Sequence, residues 1–188
     1  LILLVSAVTA WSIFASHRLN QRLTTASNTD FLTQVFNRNK FTKLLQYEFA
    51  QGKNLTSTFS IILFDVDHFK SINDQFGHNV GDVYLKELSE LVSRRIRKSD
   101  LLARWGGEEF IILLPNTSEA NGLKVAESIR KETESFLFTP GQPLTISLGV
   151  AEFTPHDTAQ SLVKRADEAL YKAKKAGRNR VLAKSKVA

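Results

Sequence analysis

Hydrophobic and polar positions follow two alternating periods through most of this chain. Apolar residues recur at helical spacing in four stretches, which predict helices over about residues 38–50, 80–97, 121–136 and 162–173. Shorter apolar runs predict strands at 59–64, 101–105, 110–114 and 144–153, with a last edge strand at 179–183. The interleaved order of helices and strands indicates a single domain built on one sheet.

Two of the predicted strands define the type of sheet. Phe59–Phe64 is apolar on both of its faces, as in a central strand that is covered on two sides. Gly106 and Gly107 separate two other predicted strands and therefore predict a hairpin. Because a hairpin makes its strands antiparallel, a purely parallel doubly wound sheet is excluded. We therefore predict an α+β fold with a central mixed sheet flanked by helices.

The N-terminal residues differ from the rest of the chain. Residues 1–16 carry no charge, are mostly aliphatic or aromatic, and are followed by Arg18 and Arg22. This pattern is typical of the cytoplasmic exit of a transmembrane helix, although sixteen residues rise only about 24 Å, so a full span would need residues before Leu1. A buried amphipathic or core helix is the alternative. We predict a truncated membrane helix at 1–16, a helical connector at 17–29, a globular domain at 30–184 and a tail at 185–188.

Composition narrows the possible chemistry. The chain has 188 residues, which is enough for one domain with an appendage, and its lack of Cys excludes disulfides, Cys-ligated metals and thiol nucleophiles. The net charge is +6, and nine Lys or Arg against two acids lie between Lys164 and Lys186. Such a basic end suits phosphate groups, nucleic acid or an anionic membrane, but it is also typical of a solvated helix face. No GxxxxGK[ST] loop is present to bind a triphosphate.

Acidic residues stand at two positions where a purely structural sequence would avoid them. Asp65-Val66-Asp67 follows the most apolar strand, and Glu108-Glu109 follows the glycine pair of the hairpin. A carboxylate at the end of a buried strand is costly unless it is paired or binds a cation. If the two strands are neighbours, Asp65 and Glu108 converge, and their oxygen ligands favour Mg²⁺ or Mn²⁺. For the turn alone, a hairpin with solvated glutamates is the alternative.

Five separated motifs agree in order and spacing with one known family. They are DFLTQVFNR at Asp30–Arg38, DVDHFKSIND at Asp65–Asp74, FGHNVGD at Phe76–Asp82, RWGGEEF at Arg104–Phe110 and ADEALYKAKKAGRN at Ala166–Asn179. With these motifs the chain resembles the GGDEF family of diguanylate cyclases, in its GGEEF form, over about residues 29–183. The resemblance implies a fold like the nucleotidyl cyclase and polymerase palm, and condensation of two GTP into cyclic di-GMP with loss of two pyrophosphates.

The resemblance also implies a role for individual residues. Two Mg²⁺ or Mn²⁺ ions per site would be held by Asp65, the carbonyl of Val66, Glu108 and Glu109. The implied catalytic residues are Glu108, as base for the 3′-hydroxyl, with Lys70 and Glu109. Asn73 and Asp82 would read the guanine edge. The remaining implied substrate-binding residues are Phe69, Lys70, His78, Gly106, Gly107, Lys174 and Arg178.

Regulation and assembly are further implications of the resemblance. Arg97 and Asp100 form an RxxD motif at the position of the family's product-inhibition site, although RRIRKSD is also a typical basic helix end. Two facing protomers are needed to close the ring, so we expect a homodimer anchored in the bacterial inner membrane, with its catalytic domain in the cytoplasm. We expect no nucleic-acid partner. The alternative function is a catalytically silent family member that binds GTP or cyclic di-GMP as a receptor.

Overall fold

The computed structural model of the protein describes residue 11 and residues 28–55, 58–141 and 143–184. Apart from residue 11, the predicted membrane segment at 1–16 lies outside the described residues, as do positions 17–27 of the connector and the tail at 185–188. Within the described part of the chain, none of the helices combines the length and apolar character that a bilayer crossing requires.

The described residues form helices and strands close to the predicted ones. The strands are β1 (Phe36–Asn37), β2 (Phe59–Val66), β3 (Leu101–Arg104), β4 (Glu109–Pro115), β5 (Ile146–Glu152) and β6 (Val181–Ala183). The helices are α1 (Arg38–Leu55), α2 (Phe69–Phe76), α3 (His78–Arg95), α4 (Glu119–Ser135) and α5 (Ala159–Lys175).

The strands form one mixed sheet in the order β1-β3-β4-β2-β5-β6. The predicted hairpin is confirmed, because β3 and β4 pair antiparallel. β2 lies between β4 and β5 and is antiparallel to both, whereas β1 pairs parallel with β3 and β6 pairs parallel with β5. The prediction of an α+β fold with a mixed sheet is therefore confirmed.

Alternating side chains of β2 divide the core into two layers. All eight residues of β2 are buried, as predicted for a central strand. Ile62 and Phe64 pack with α2, α3 and α4 on one face of the sheet, and Ile61 and Leu63 pack with α1 and α5 on the other. This alternation follows from the two-residue period of a strand, so Asp65 continues the face that α5 covers.

Several predicted boundaries are wrong. Helix α1 continues to Leu55 instead of ending near residue 50. The helix predicted at 80–97 is α3, which begins at His78 and ends at Arg95, and Ile96 after it is extended. The two-residue strand β1 was not predicted, because so short a segment carries no periodicity.

Candidate active site

The end of β2 and the glycine turn meet at one edge of the sheet. In the register of β2 with β4, Asp65 lies directly opposite Glu109. The backbone N–H of Val66 donates to the carbonyl oxygen of Glu108 at 3.4 Å. The predicted convergence of the Asp65 segment with Glu108 and Glu109 is therefore confirmed by the backbone register.

Asp65 is the buried member of this group of acids. It is 6% exposed, and the Nζ of Lys174 in α5 lies 2.8 Å from its Oδ2. Burial raises the pKa of Asp65 to about 6, because desolvation disfavours the charged carboxylate. The ion pair with Lys174 opposes this shift, and the negative charges of Glu108 and Glu109 add to it.

Arg104, the last residue of β3, holds the glycine turn. Its Nε and Nη2 donate to the carbonyl oxygen of Gly107 at 3.0 and 2.7 Å, and its Nη1 donates to Oδ1 of Asp30 at 3.1 Å. The amide of Gly106 donates to the carbonyl oxygen of Glu109 at 3.2 Å, which closes the turn. A Cβ added at Gly107 would meet nothing within 4 Å, so this side of the turn is open to a ligand.

Helices α2 and α3 bring the predicted guanine-reading residues together. The Oδ1 of Asn73 lies only 2.0 Å from where a Cβ on Gly81 would stand, so the Asn73 side chain rests on the α3 backbone one residue before Asp82. Phe69 is buried beneath them, at 9% exposure. The exposed members of the predicted set in these helices are Lys70, His78 and Asp82.

The C-terminal end of α5 carries the predicted cationic residues. Gly177, at φ 113°, ends the helix as predicted: its N–H donates to the carbonyl of Lys174, and the N–H of Arg178 donates to the carbonyl of Ala173. Arg178 is exposed directly after this turn. Lys174 and Arg178 therefore lie on the same end of α5, and Lys174 reaches Asp65.

Asp67 is a buried residue beside the site, and no role was assigned to it from the sequence. Its carboxylate accepts hydrogen bonds from the hydroxyls of Thr145 and Ser147, at 2.9 and 2.7 Å, and from the N–H of Asn179 at 3.0 Å. These partners lie 78, 80 and 112 residues away along the chain. No local pattern identifies them, because they become neighbours only when β5 and β6 join the sheet.

The RxxD motif lies apart from this group of residues. Asp100 is 9% exposed, and its Oδ2 accepts a hydrogen bond from the backbone N–H of Arg97 at 2.8 Å. The strand β3 separates Asp100 from the glycine turn by about 13 Å. The structure therefore leaves Arg97 and Asp100 outside the site around Asp65.

The donor set fits a hard divalent cation. Asp65, Glu108 and Glu109 supply carboxylates at one edge of the sheet, against the single ammonium of Lys174 at Asp65. Among the described residues, no three His, Asp or Glu side chains are grouped closely enough to enclose a metal by themselves. Mg²⁺ usually binds one or two carboxylates and completes its shell with water and substrate phosphate.

Comparison with known proteins identifies the family. Residues 27–180 match the sequence profile described as diguanylate cyclase, GGDEF domain. The diguanylate cyclase DgcM of Escherichia coli K12 is 40% identical over 166 residues, which cover 88% of this chain but only 40% of that protein. Diguanylate cyclase A of Treponema denticola is 40% identical over 169 residues, or 86% of this chain and 46% of that protein. The chain thus spans less than half the length of these relatives.

A solved structure shows the same fold. The coiled coil and GGDEF domain of DgcB from Caulobacter crescentus, determined in complex with c-di-GMP, matches with a TM-score of 0.87 and 31% identity, over 96% of this chain and 99% of that one. The sheet and helices described above therefore have the palm-like arrangement of GGDEF nucleotidyl cyclases. From its profile match, its relatives and its fold, the chain belongs to the GGDEF domain family of diguanylate cyclases.

Proposed function

We propose that this chain is a diguanylate cyclase of the GGEEF type, which condenses two GTP into cyclic di-GMP and releases two pyrophosphates. The observation that carries the proposal is the meeting of Asp65 with Glu108 and Glu109 at one sheet edge, with Lys174 beside them. The names of the relatives support it, as does the c-di-GMP complex of the DgcB domain.

In this proposal two Mg²⁺ or Mn²⁺ ions are held by the carboxylates of Asp65, Glu108 and Glu109 and by the carbonyl of Val66. When bound, the ions would stabilise the negative charge that develops on the oxygens of the reacting α-phosphate. The burial of Asp65 supports this role, because an ionised carboxylate in that position gains from a nearby cation.

The chain's own residues orient and activate the substrate. Glu108 accepts the proton of the attacking 3′-hydroxyl, whose oxygen forms a bond to the α-phosphorus of the second GTP as the bond to pyrophosphate breaks. Lys70, Lys174 and Arg178 bind the triphosphate, and Asn73 and Asp82 bind the guanine edge. His78, the backbone at Phe69 and the turn at Gly106 and Gly107, which is open at Gly107, complete the proposed substrate contacts. Each half-reaction releases one pyrophosphate, so the second repeats the first with the roles exchanged.

A single site holds one GTP, so ring closure requires a second protomer. We propose a homodimer in which two such sites face each other. The connector at 17–29 and the apolar segment at 1–16 would set that geometry from the bacterial inner membrane, with the catalytic domain in the cytoplasm. Cyclic di-GMP would inhibit the enzyme by binding at Arg97 and Asp100.

Incubation of the chain with GTP and Mg²⁺ tests the proposal, with pyrophosphate and cyclic dinucleotide measured together. We expect two pyrophosphates per cyclic di-GMP, and loss of both products in Asp65→Asn. Glu132→Gln is the control, because Glu132 forms an exposed ion pair with Arg95 away from the site. Binding of GTP or cyclic di-GMP without release of pyrophosphate would overturn the proposed cyclase activity and favour a catalytically silent receptor.

A further inference from the structure

The turn between α5 and β6 has an unusual backbone. Gly177, Arg178 and Asn179 follow one another with φ of 113°, 62° and 45°, all in the left-handed region. Residues with side chains rarely adopt this region, and two successive ones persist only where the surroundings hold them. Because Arg178 is the middle residue, the contacts that hold the turn also fix the backbone position from which the Arg178 side chain extends.

Asn179 is the residue through which the turn is held. Its backbone N–H donates to Oδ2 of Asp67 at 3.0 Å, which attaches the turn to the end of β2. Its side chain is attached to α4: Oδ1 accepts from Nη1 of Arg130 at 2.8 Å, and Nδ2 donates to Oε1 of Glu134 at 2.7 Å. Asn179 thus joins the turn to a strand and a helix that are remote in sequence.

The partners on α4 are themselves fixed. The Nε and Nη2 of Arg130 form a two-pronged contact with the carboxylate of Glu127, both at 2.9 Å. Its Nη1 also donates to Oε2 of Glu134 at 2.8 Å. A planar guanidinium bound in this way has little freedom to rotate, so it presents a fixed donor to Asn179.

The turn at Gly177, Arg178 and Asn179 lies beside the carboxylates of the proposed active site. Asp67 directly follows β2, two residues and about 7 Å beyond Asp65, and its carboxylate accepts a hydrogen bond from the N–H of Asn179. From the other end of the turn, Lys174 forms its ion pair with Asp65. Arg178 therefore projects from a segment anchored on both sides to the strand end that carries Asp65.

We propose that Asn179 is a positioning residue for the cyclisation of GTP, which acts by holding Arg178 where it meets the triphosphate. The inference rests on the proposed function. Asn179 does not touch the substrate in this proposal. Its three polar groups fix the left-handed turn through their partners Asp67, Arg130 and Glu134. A cation displaced by about 1 Å from a developing phosphate charge lowers the rate by up to about 100-fold.

The test is a double-mutant cycle with Arg178. Asn179→Gly removes the side-chain contacts, but glycine tolerates the left-handed backbone, so the Tm should stay within a few degrees of the wild-type value. The kcat for cyclic di-GMP should fall roughly tenfold or more. In an Arg178→Ala background nothing remains to be positioned. There Asn179→Gly should change kcat by less than about twofold.

A second pair of variants serves if Asn179→Gly does not fold. Glu134→Ala removes one partner of Asn179 from an exposed site, and Glu132→Ala removes a carboxylate from the same helix that pairs with Arg95. Glu134→Ala should lower kcat about threefold, again only when Arg178 is present, and Glu132→Ala should not.

Three results would overturn the inference alone: wild-type kcat in Asn179→Gly, an equal further loss in the Arg178→Ala background, or equal losses in Glu134→Ala and Glu132→Ala. A different result marks failure of the proposed function. If the unsubstituted chain with GTP and Mg²⁺ releases no pyrophosphate, the cyclase proposal fails and this inference fails with it.

Discussion

The Nζ of Lys174 lies 2.8 Å from the Oδ2 of Asp65, so the last turn of α5 supplies a counter-charge to the buried carboxylate at the end of β2. One ammonium does not balance the local charge, because Glu108 and Glu109 both raise the pKa of Asp65. The Asp65–Lys174 pair therefore lies close to two further carboxylates, where the proposed chemistry needs a cation.

The stability of the fold should depend on the protonation of Asp65. Its pKa is about 6 in the folded protein and near the ordinary value of 3.8 in the unfolded chain. The folded state thus binds the proton more tightly, and the contribution of Asp65 to stability falls as pH rises from about 4 to about 6. Above that window the ionised carboxylate destabilises the metal-free fold by up to the order of 3 kcal/mol. Asp65→Asn should therefore raise the free energy of unfolding at pH 8 by about 1 kcal/mol. The uncharged amide avoids the cost of burying a carboxylate, and loss of the ion pair with Lys174 offsets part of that gain.

Urea unfolding of both proteins in EDTA, at pH 5 and pH 8, measures this difference. Added Mg²⁺ should then raise the unfolding midpoint of the wild type and leave Asp65→Asn unchanged, since only a ligand of the folded state stabilises it. An Asp65→Asn variant that is less stable than the wild type at pH 8 would contradict the destabilising effect of the ionised carboxylate. A variant that Mg²⁺ stabilises as much as the wild type would contradict the proposed role of Asp65 as a metal ligand.

Lys174→Gln should lower kcat/KM for GTP roughly 100-fold, because it removes the cation that we propose binds the reacting phosphate. The matched control is Lys175→Gln, which removes the next lysine, whose Nζ lies 5.6 Å from the centroid of the Tyr171 ring. Steady-state release of pyrophosphate is the measurement. Equal effects of the two substitutions would mean that the general charge of the helix end, and not the Lys174 contact, matters.

Much of this site was predictable from sequence because strand pairing is regular. Once Phe59–Val66 is a central strand and the glycine pair closes a hairpin, pairing of β2 with β4 places Asp65 opposite Glu109. The helix-ending role of Gly177 was likewise visible from its position after an amphipathic stripe. These features depend on local period and turn chemistry, which a sequence displays directly.

The contacts that hold the site depend on tertiary neighbours instead. Asp67 and Asn179 are 112 residues apart, and Arg130 reaches Asn179 from a helix on the opposite face of the sheet from α5. Helical periodicity shows which face of α4 is polar, but not which turn that face meets. The bounds of α2 were not predicted for a related reason: its separation from α3 depends on Gly77 at φ 84°, and a lone glycine within a polar stretch is a weak signal.

Gly81→Ala should weaken binding of the guanine base without disturbing the metal site. The new Cβ would stand 2.0 Å from Oδ1 of Asn73 and 3.1 Å from Cζ of Phe69, so the Asn73 side chain must move. Loss of the hydrogen bond that we propose between Asn73 and the guanine edge would cost about 1–2 kcal/mol of binding, which is a roughly tenfold rise in KM for GTP. In an Asn73→Ala background the same substitution should raise KM less. An equal rise in both backgrounds would show that Asn73 is not the group displaced.

Arg104→Gln should loosen the glycine turn and destabilise the fold by about 1–2 kcal/mol, because the charge-assisted bonds to Asp30 and Gly107 are lost. Burial acts to raise the pKa of Asp30, but hydrogen bonds from Thr33 and Arg104 lower it overall. Asp30 therefore stabilises the fold above its unfolded pKa, and this contribution is lost as pH falls below about 4. Acid unfolding of Arg104→Gln should show a smaller loss in that window than the wild type. A variant with wild-type stability and an unchanged acid transition would show that the Arg104–Asp30 ion pair does not stabilise the fold.

Arg97→Ala should leave synthesis of cyclic di-GMP intact and weaken inhibition by the product. The helix α3 ends at Arg95, so Arg97 stands exposed on the turn that Asp100 closes through its bond to the Arg97 N–H. The exposed guanidinium suits a phosphate, and its removal leaves that backbone contact in place. Initial rates with and without added cyclic di-GMP are the measurement, with Lys98→Ala as the control from the same turn. We expect the inhibition constant to rise at least roughly tenfold in Arg97→Ala only. Unchanged inhibition, or an equal change in Lys98→Ala, would show that the product binds elsewhere or responds only to general positive charge.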